Sequence, residues 1–141
     1  MQPERKAVRI GLNAGDGPPP GYLWHVSFLT LAHDEAQAIL DQAQYAHVVD
    51  EIRALASEND PTRAETVSVD AIETYYELRM KGGALGKINL RVFFTVLTER
   101  RRIVILGVIK KEAEGQTPVW AKVRTRVRLR RLLAGEFGIV A

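Results

Sequence analysis

Two runs near the middle of the chain, "NLRVFFTVL" (89–97) and "RIVILGVIKK" (102–111), carry apolar residues at consecutive positions instead of every second one. A β-strand turns successive side chains to opposite faces, so strands of this kind belong to a sheet that is covered on both sides. The intervening "TERR" suits a hairpin. Upstream, "AIETYYELRM" alternates, with Tyr76, Leu78 and Met80 on one face and Tyr75, Glu77 and Arg79 on the other. With the loop "KGGALGKI" between them, these segments predict a three-stranded antiparallel meander that needs two layers of cover.

Cover for one face is available before the strands. From Ala32 to Glu58, apolar residues recur at Ala36, Ile39, Leu40, Ala43, Val48, Val49, Ile52, Leu55 and Ala56, largely three or four apart, with acids on the other faces. The stripe drifts between Ala43 and Val48, which fits one long helix or two helices breaking near Gln44 to Ala46. Asp34 and Glu35 are expected in a first turn, where they favour the helix dipole, and "SENDPTRAE" supplies a stop with Pro61. Ahead of the helices, "YLWHVSFL" reads as an N-terminal strand. "AVRIGL" adds an edge strand or is a loose arm, and the Pro- and Gly-rich 12–21 reads as a flexible connection. The chain thus divides into an N-terminal arm, 1–21, and a single domain, 22–141.

Cover for the second face falls to "KVRTRVRLRRLL" (122–133), which has two periods at once. As a strand it alternates arginine with an apolar residue; as a helix it places Trp120, Val123 and Val127 on one stripe. Thr117 as N-cap, Pro118 at the first helical position and Gly135 as a stop favour a C-terminal basic helix. Trp120, Val123 and Val127 are then expected to dock on the sheet, with the arginines as a flank.

The 141 residues are enough for one domain without staples. With no cysteine there is no disulfide, thiolate metal site or thiol nucleophile. No apolar run approaches the roughly 20 residues that span a bilayer, and the N-terminus lacks a signal-peptide h-region, so the expected location is the cytoplasm, away from membranes. Charge is unevenly distributed: Arg79 to Arg131 holds fifteen Lys or Arg against three acids, whereas Met1 to Leu78 holds five against thirteen. A chain half so basic points to a nucleic acid or an acidic protein as partner. "GGALGK" fails as a phosphate loop, since positions 81 and 88 are Lys and Ile and a strand follows. His25, His33 and His47 have no metal-ligand spacing, and no Ser or Cys stands in a nucleophile motif.

The run "YYELRMKGGALGKINLRVFFTVLTERRRIVILGVIKKEAEGQTP", with "YELR", "RVFF" and "RIVILGVIKK" in that order before a Thr-Pro and a basic segment, resembles the RelE/ParE toxin superfamily and its HigB-like, phage-derived branch. The resemblance covers roughly Tyr22 to Leu133. It implies an α+β, RelE-like domain in which a twisted antiparallel sheet packs on two N-terminal helices. It also implies the toxin of a type II toxin–antitoxin pair that cleaves mRNA on the ribosome without metal or cofactor, neutralised by an acidic antitoxin. The ParE-like branch inhibits DNA gyrase instead.

Metal-free RNA cleavage by 2′-hydroxyl attack needs a base, donors for the phosphorane charge and an acid for the leaving oxygen. Arg79 and Arg91 project from neighbouring strands, match basic positions of the family and offer forked donors for a phosphate. Lys110 or Lys111, at the family's basic pair, is the candidate base, its pKa expected to fall among other cations. Lys81 and Lys87 are expected to hold backbone phosphates. Trp120 falls near a family aromatic that could stack on a base, and Arg124 and Arg128 on the flank are expected to meet RNA. After Lys111 the chain has no His or Tyr, which active ribosome-dependent members often carry. That departure keeps open a gyrase inhibitor, or a catalytically inactive binder of RNA or protein.

Overall fold

The doubly apolar runs are the two central strands of the sheet. The computed structural model describes residues 7–9, 21–111 and 115–137. Its strands are β1 (Ala7–Arg9), β2 (His25–Leu29), β3 (Ser68–Ala71), β4 (Tyr76–Lys81), β5 (Asn89–Leu97) and β6 (Arg102–Lys111); its helices are α1 (Thr30–Ile39), α2 (Gln42–Ala56) and α3 (Val119–Leu133). The fold is α+β, with one six-stranded sheet in the order β1-β2-β6-β5-β4-β3. Neighbours are antiparallel except β2 and β6, which run parallel. Among the described residues no helix is long and apolar enough to cross a membrane.

The sheet is wider than the three-stranded unit expected from the sequence. β4, β5 and β6 do follow one another antiparallel, but "AIETYYELRM" is not one strand. Ala71 pairs with Tyr76, and the Ile72 N–H donates to the Tyr75 carbonyl (3.1 Å), so the run folds into a hairpin with β3 on its far side. Of "AVRIGL", Ala7–Arg9 takes the edge-strand option against β2; the expected flexible connection lies, but for Gly21, outside the described residues.

The helical region is two helices, and the break falls at Leu40 and Asp41, not near Gln44 to Ala46. Asp41 Oδ1 accepts the Gln44 N–H (2.8 Å) while Gln44 Oε1 accepts the Asp41 N–H (3.0 Å). This reciprocal cap is worth on the order of 1 kcal/mol and starts α2 at Gln42, ahead of the drift in the stripe. Because α1 begins at Thr30, Asp34 and Glu35 lie beyond its first turn. Ala36, Val48, Ile52 and Leu55 join one buried cluster with Leu78, Leu90, Val92 and Val108 of the sheet.

α3 is a helix, as Pro118 and Gly135 indicated, but its roll differs from expectation. Ala121, Thr125, Arg128, Leu129 and Leu132 are buried, whereas Trp120 (56% exposed), Val123 (46%) and Val127 (42%) face outward. Thr117 does not cap it either; Pro118 occupies that position and the Thr117 hydroxyl donates to Glu77. The cause of the roll lies at the edge of β6. β2 pairs only as far as Ile105, next to a bulge at Leu106, and beyond it that edge of β6 has no strand alongside among the described residues. Glu35 Oε1 accepts the Val108 N–H (3.0 Å), and Arg128 Nη1 donates to the Leu106 carbonyl (2.9 Å). The two side chains also close a fork on each other, Nη1 to Oε1 at 3.0 Å and Nη2 to Oε2 at 2.7 Å. Gly107 makes room, since a Cβ there would lie 3.0 Å from Arg128 Nη1.

Two stability predictions follow from this packing. Glu35→Gln keeps the shape but strips the charge facing Arg128 and Arg124, and should cost about 2 kcal/mol in urea denaturation. Tyr75 is fully buried against Phe93 with its hydroxyl unpartnered. Burial first, then Glu73, pushes its phenol up to about 12. An unfolded phenol titrates near 10, so between about pH 10 and 12 the unfolded chain releases a proton that the folded chain keeps, and stability falls as pH rises. Tyr75→Phe should flatten that alkaline loss without destabilising the fold near neutral pH, read by denaturation at several pH values.

Candidate functional site

Strand register gathers the polar side chains into rows on the face of the sheet that α3 crosses. Asp70 pairs with Glu77, and Glu77 with Phe93; Arg79 pairs with Arg91; Lys81 pairs with Asn89, and Asn89 with Lys111. Directly paired residues share a face, so Arg79 and Arg91 stand side by side, as their positions on neighbouring strands implied.

Their organiser is Glu77, whose side chain is fully buried. Its Oε2 accepts from Arg79 Nε (2.8 Å), Thr117 donates to its Oε1, and Arg91 Nε lies 3.7 Å from the same oxygen. Arg79 Nε is also 2.8 Å from Asp70 Oδ2. A buried carboxylate is tolerated only when charge and hydrogen bonds compensate it, and here two guanidiniums and a hydroxyl do so. The two arginines are not equivalent: Arg79 has a side chain 38% exposed, while that of Arg91 is 4% exposed. Arg91 spends Nη1 on Asn89 Oδ1 (2.6 Å) and Nη2 on the Gly115 carbonyl (3.4 Å). Beside them opens a cleft of about 640 Å³ lined by Arg79, Lys81, Asn89 and Arg91 together with Glu51, Glu65, Thr66 and Ser68.

The lysine pair divides. Lys111 shares the row of Asn89, but its Nζ donates to the Gln116 carbonyl (2.7 Å). Lys110 pairs with Leu90, which places it on the opposite face, exposed. Lys81 and Lys87 are exposed at the two ends of the β4–β5 connection, and of the two only Lys81 lines the cleft. Trp120 does not line it; the Arg124 guanidinium lies over its ring at 5.0 Å.

Arg124 and Arg128 are taken up within the fold. Arg124 Nη1 reaches Glu35 Oε2 at 3.0 Å, completing the cluster that Arg128 begins. Burial, opposed by Glu35 and reinforced by Arg128, holds the Arg124 guanidinium below its usual range. The same happens elsewhere in the basic half: Arg126 pairs with Glu73 at 3.2 Å and Arg79 with Asp70 and Glu77. Glu35, Asp70, Glu73 and Glu77 of the first half of the chain thus fold onto arginines of the second, and part of the charge asymmetry of the sequence is neutralised in space.

Two functional positions were not evident in the sequence, Glu77 and Glu35. Glu77 alternates with Arg79 and reads as the partner of a surface pair; what the alternation omits is that α3 and Thr117 close over that face. Glu35 carries no local signal, since its partners Val108 and Arg128 lie 73 and 93 residues away.

The inequality of the two arginines is measurable. Arg91→Met should cost about 3 kcal/mol, because it leaves Glu77 buried beside an empty position. Arg79→Met should cost somewhat less, about 2 kcal/mol, since that side chain is 38% exposed yet supplies the hydrogen bond to the buried Glu77 carboxylate; chemical denaturation of both variants checks the contrast. In comparison with known proteins, no family model matches the chain and no curated protein matches it.

Proposed function

We propose that the chain is the toxin of a type II toxin–antitoxin pair, of the RelE/ParE superfamily and its HigB-like branch, acting on ribosome-bound mRNA as a metal-free endoribonuclease. The observation that carries this reading is the Arg79–Arg91 pair, direct neighbours across β4 and β5 that open on a cleft shared with Lys81. The part-exposed Arg79 guanidinium suits a phosphate whose charge grows during in-line attack, with Arg91 beside it held by Asn89 and the Gly115 carbonyl, and Lys81 suits the adjoining backbone phosphate. Glu77, buried and hydrogen-bonded, sets the arginines in place and takes no part in proton transfer. An acidic antitoxin and the ribosome are the partners this reading requires.

A second reading, a non-nuclease inhibitor of the ParE kind or an inactive binder, is favoured by one specific observation. The lysines that would act as base do not converge with the arginines: Lys111 is held by the Gln116 carbonyl and Lys110 lies on the other face. The two readings separate in one experiment. Translating ribosomes with purified protein should give new mRNA ends by primer extension, and Arg79→Ala should reduce their rate about 100-fold, the scale of losing one donor to a developing oxyanion. No cleavage, together with loss of gyrase supercoiling at stoichiometric protein, would replace the first reading with the second.

A further inference from the structure

A second cleft lies at the opposite end of β4 from Lys81, and it shares no lining residue with the first. It measures about 550 Å³ and runs between Tyr76 of β4, Thr95 and Val96 of β5, and Trp24 and Arg101, a size ordinary for small-molecule sites. Its strand wall is open. β4 begins at Tyr76, opposite Phe94, so the next residues of β5, Thr95 to Leu97, have no strand on that side among the described residues. Alternate residues of a strand turn both N–H and C=O to the same edge, so this stretch presents a donor and an acceptor together. Tyr76, half-buried, adds an aromatic ring that leans on Phe94 with centroids 5.7 Å apart.

Arg101 is the only cation of the lining, and its backbone conformation is a costly one. Among the described residues no other non-glycine has a positive φ, here 50°, where a β-carbon is disfavoured. Its carbonyl accepts the His25 N–H (2.8 Å), and its guanidinium lies 4.2 Å from the centroid of the Trp24 ring. That indole is itself fixed, since Nε1 donates to the Glu58 carbonyl at 2.9 Å. Among the described residues no carboxylate pairs with Arg101. A guanidinium stacked by its face keeps its N–H edge for an anion.

These features match the three parts of a nucleotide. The β5 edge suits the hydrogen-bonding edge of a base, and Tyr76 suits its face. Hydroxyls of Thr62, Thr74 and Thr98 line the cleft with Asp60, whose Oδ1 takes both the Thr62 N–H (3.0 Å) and the Thr62 hydroxyl (2.7 Å), leaving Oδ2 for a ribose hydroxyl. The Arg101 fork suits one phosphate. One cation and one carboxylate also limit the charge that fits. A di- or triphosphate would press on Asp60, and a strand of RNA would need further cations that the lining does not hold.

We propose that this cleft binds a free nucleoside monophosphate, with the base at the β5 edge and the phosphate on Arg101. The site goes beyond the RNA reading and stands without it, because the Arg79 row takes no part.

Isothermal titration calorimetry of the full-length protein with AMP, GMP, CMP and UMP tests it. At least one should bind with 1:1 stoichiometry and a Kd on the order of tens of micromolar. Ribose 5-phosphate, which lacks the base, and the matching nucleoside, which lacks the phosphate, should each bind about tenfold more weakly or worse. Arg101→Asn removes the guanidinium yet suits the left-handed turn, so it should weaken the monophosphate about tenfold or more with an unaltered thermal melt. Thr74→Glu, which sets a negative charge on an exposed rim position, should weaken it as well. Lys81→Ala should change nothing. The proposal is overturned if no monophosphate binds, if ribose 5-phosphate binds as tightly, or if Arg101→Asn and Thr74→Glu both leave the affinity unchanged. It is likewise overturned if Lys81→Ala abolishes binding, which assigns the nucleotide to the first cleft. An oligo(A) without a terminal phosphate that binds as tightly as AMP and depends on Arg101 would overturn it too, making the cleft part of an RNA path.

Discussion

The carboxylate of Glu35 is where the fold is decided. β2 leaves β6 after Ile105, and every backbone group beyond that point needs a partner or water. Glu35 takes the Val108 N–H, Arg128 gives to the Leu106 carbonyl, and the two close a fork with each other. That arrangement ties α1 to α3 across the sheet edge, favours glycine at 107 for close approach, and orients α3. A guanidinium inside and a tryptophan outside is the result, although burial of apolar area alone would favour the opposite roll. Four directional contacts to buried partners outweigh a ridge of valines, because leaving the edge groups and the carboxylate unpaired would cost several kcal/mol in all.

Glu77 applies the same chemistry on the neighbouring strands. It pulls in Arg79, Arg91 and Thr117, so that the connection into α3 is anchored where the strand rows are most polar. Both clusters join an acid from the first half of the chain to arginines from the second. Their contribution is to uniqueness as well as to stability, since directional hydrogen bonds favour one roll of α3 over others more sharply than apolar burial does. For function the consequence is a division of labour. Arg91, Arg124 and Arg128 serve the fold, whereas Arg79 and Lys81 face a cleft, and the outer ridge of α3 faces solvent.

Much of the architecture was legible from local pattern. The consecutive apolar runs of β5 and β6 announced central strands, and Pro118 with Gly135 outweighed the alternation in "KVRTRVRLRRLL". The misplaced helix break also had a local signal, the Asp41-x-x-Gln44 cap, which competes with a drifting stripe and wins because it satisfies two orphan donors. β3 was harder: "SVDA" is short and half-exposed, and its pairing depends on the tight loop at Ile72 to Tyr75. Of the candidate site, the order of the strands put Arg79 and Arg91 on neighbours, while their direct pairing and the place of Lys81 at the end of β4 came from the register. The separation of Lys110 from Lys111 follows from the same rule, a period of two that puts adjacent residues on opposite faces.

By itself the sequence determined the alternation of strand faces and the helical nature of the C-terminal segment, because each rests on a repeat of two or on caps within a few residues. Tertiary structure alone decided which arginines are buried, which face of α3 is seen by solvent, and how far the basic half of the chain remains basic in space. Those outcomes depend on Glu35 and Glu77 meeting partners that no local pattern links to them. A charge counted along a chain is a property of composition; the charge a partner meets depends on which carboxylates the fold has already brought to it.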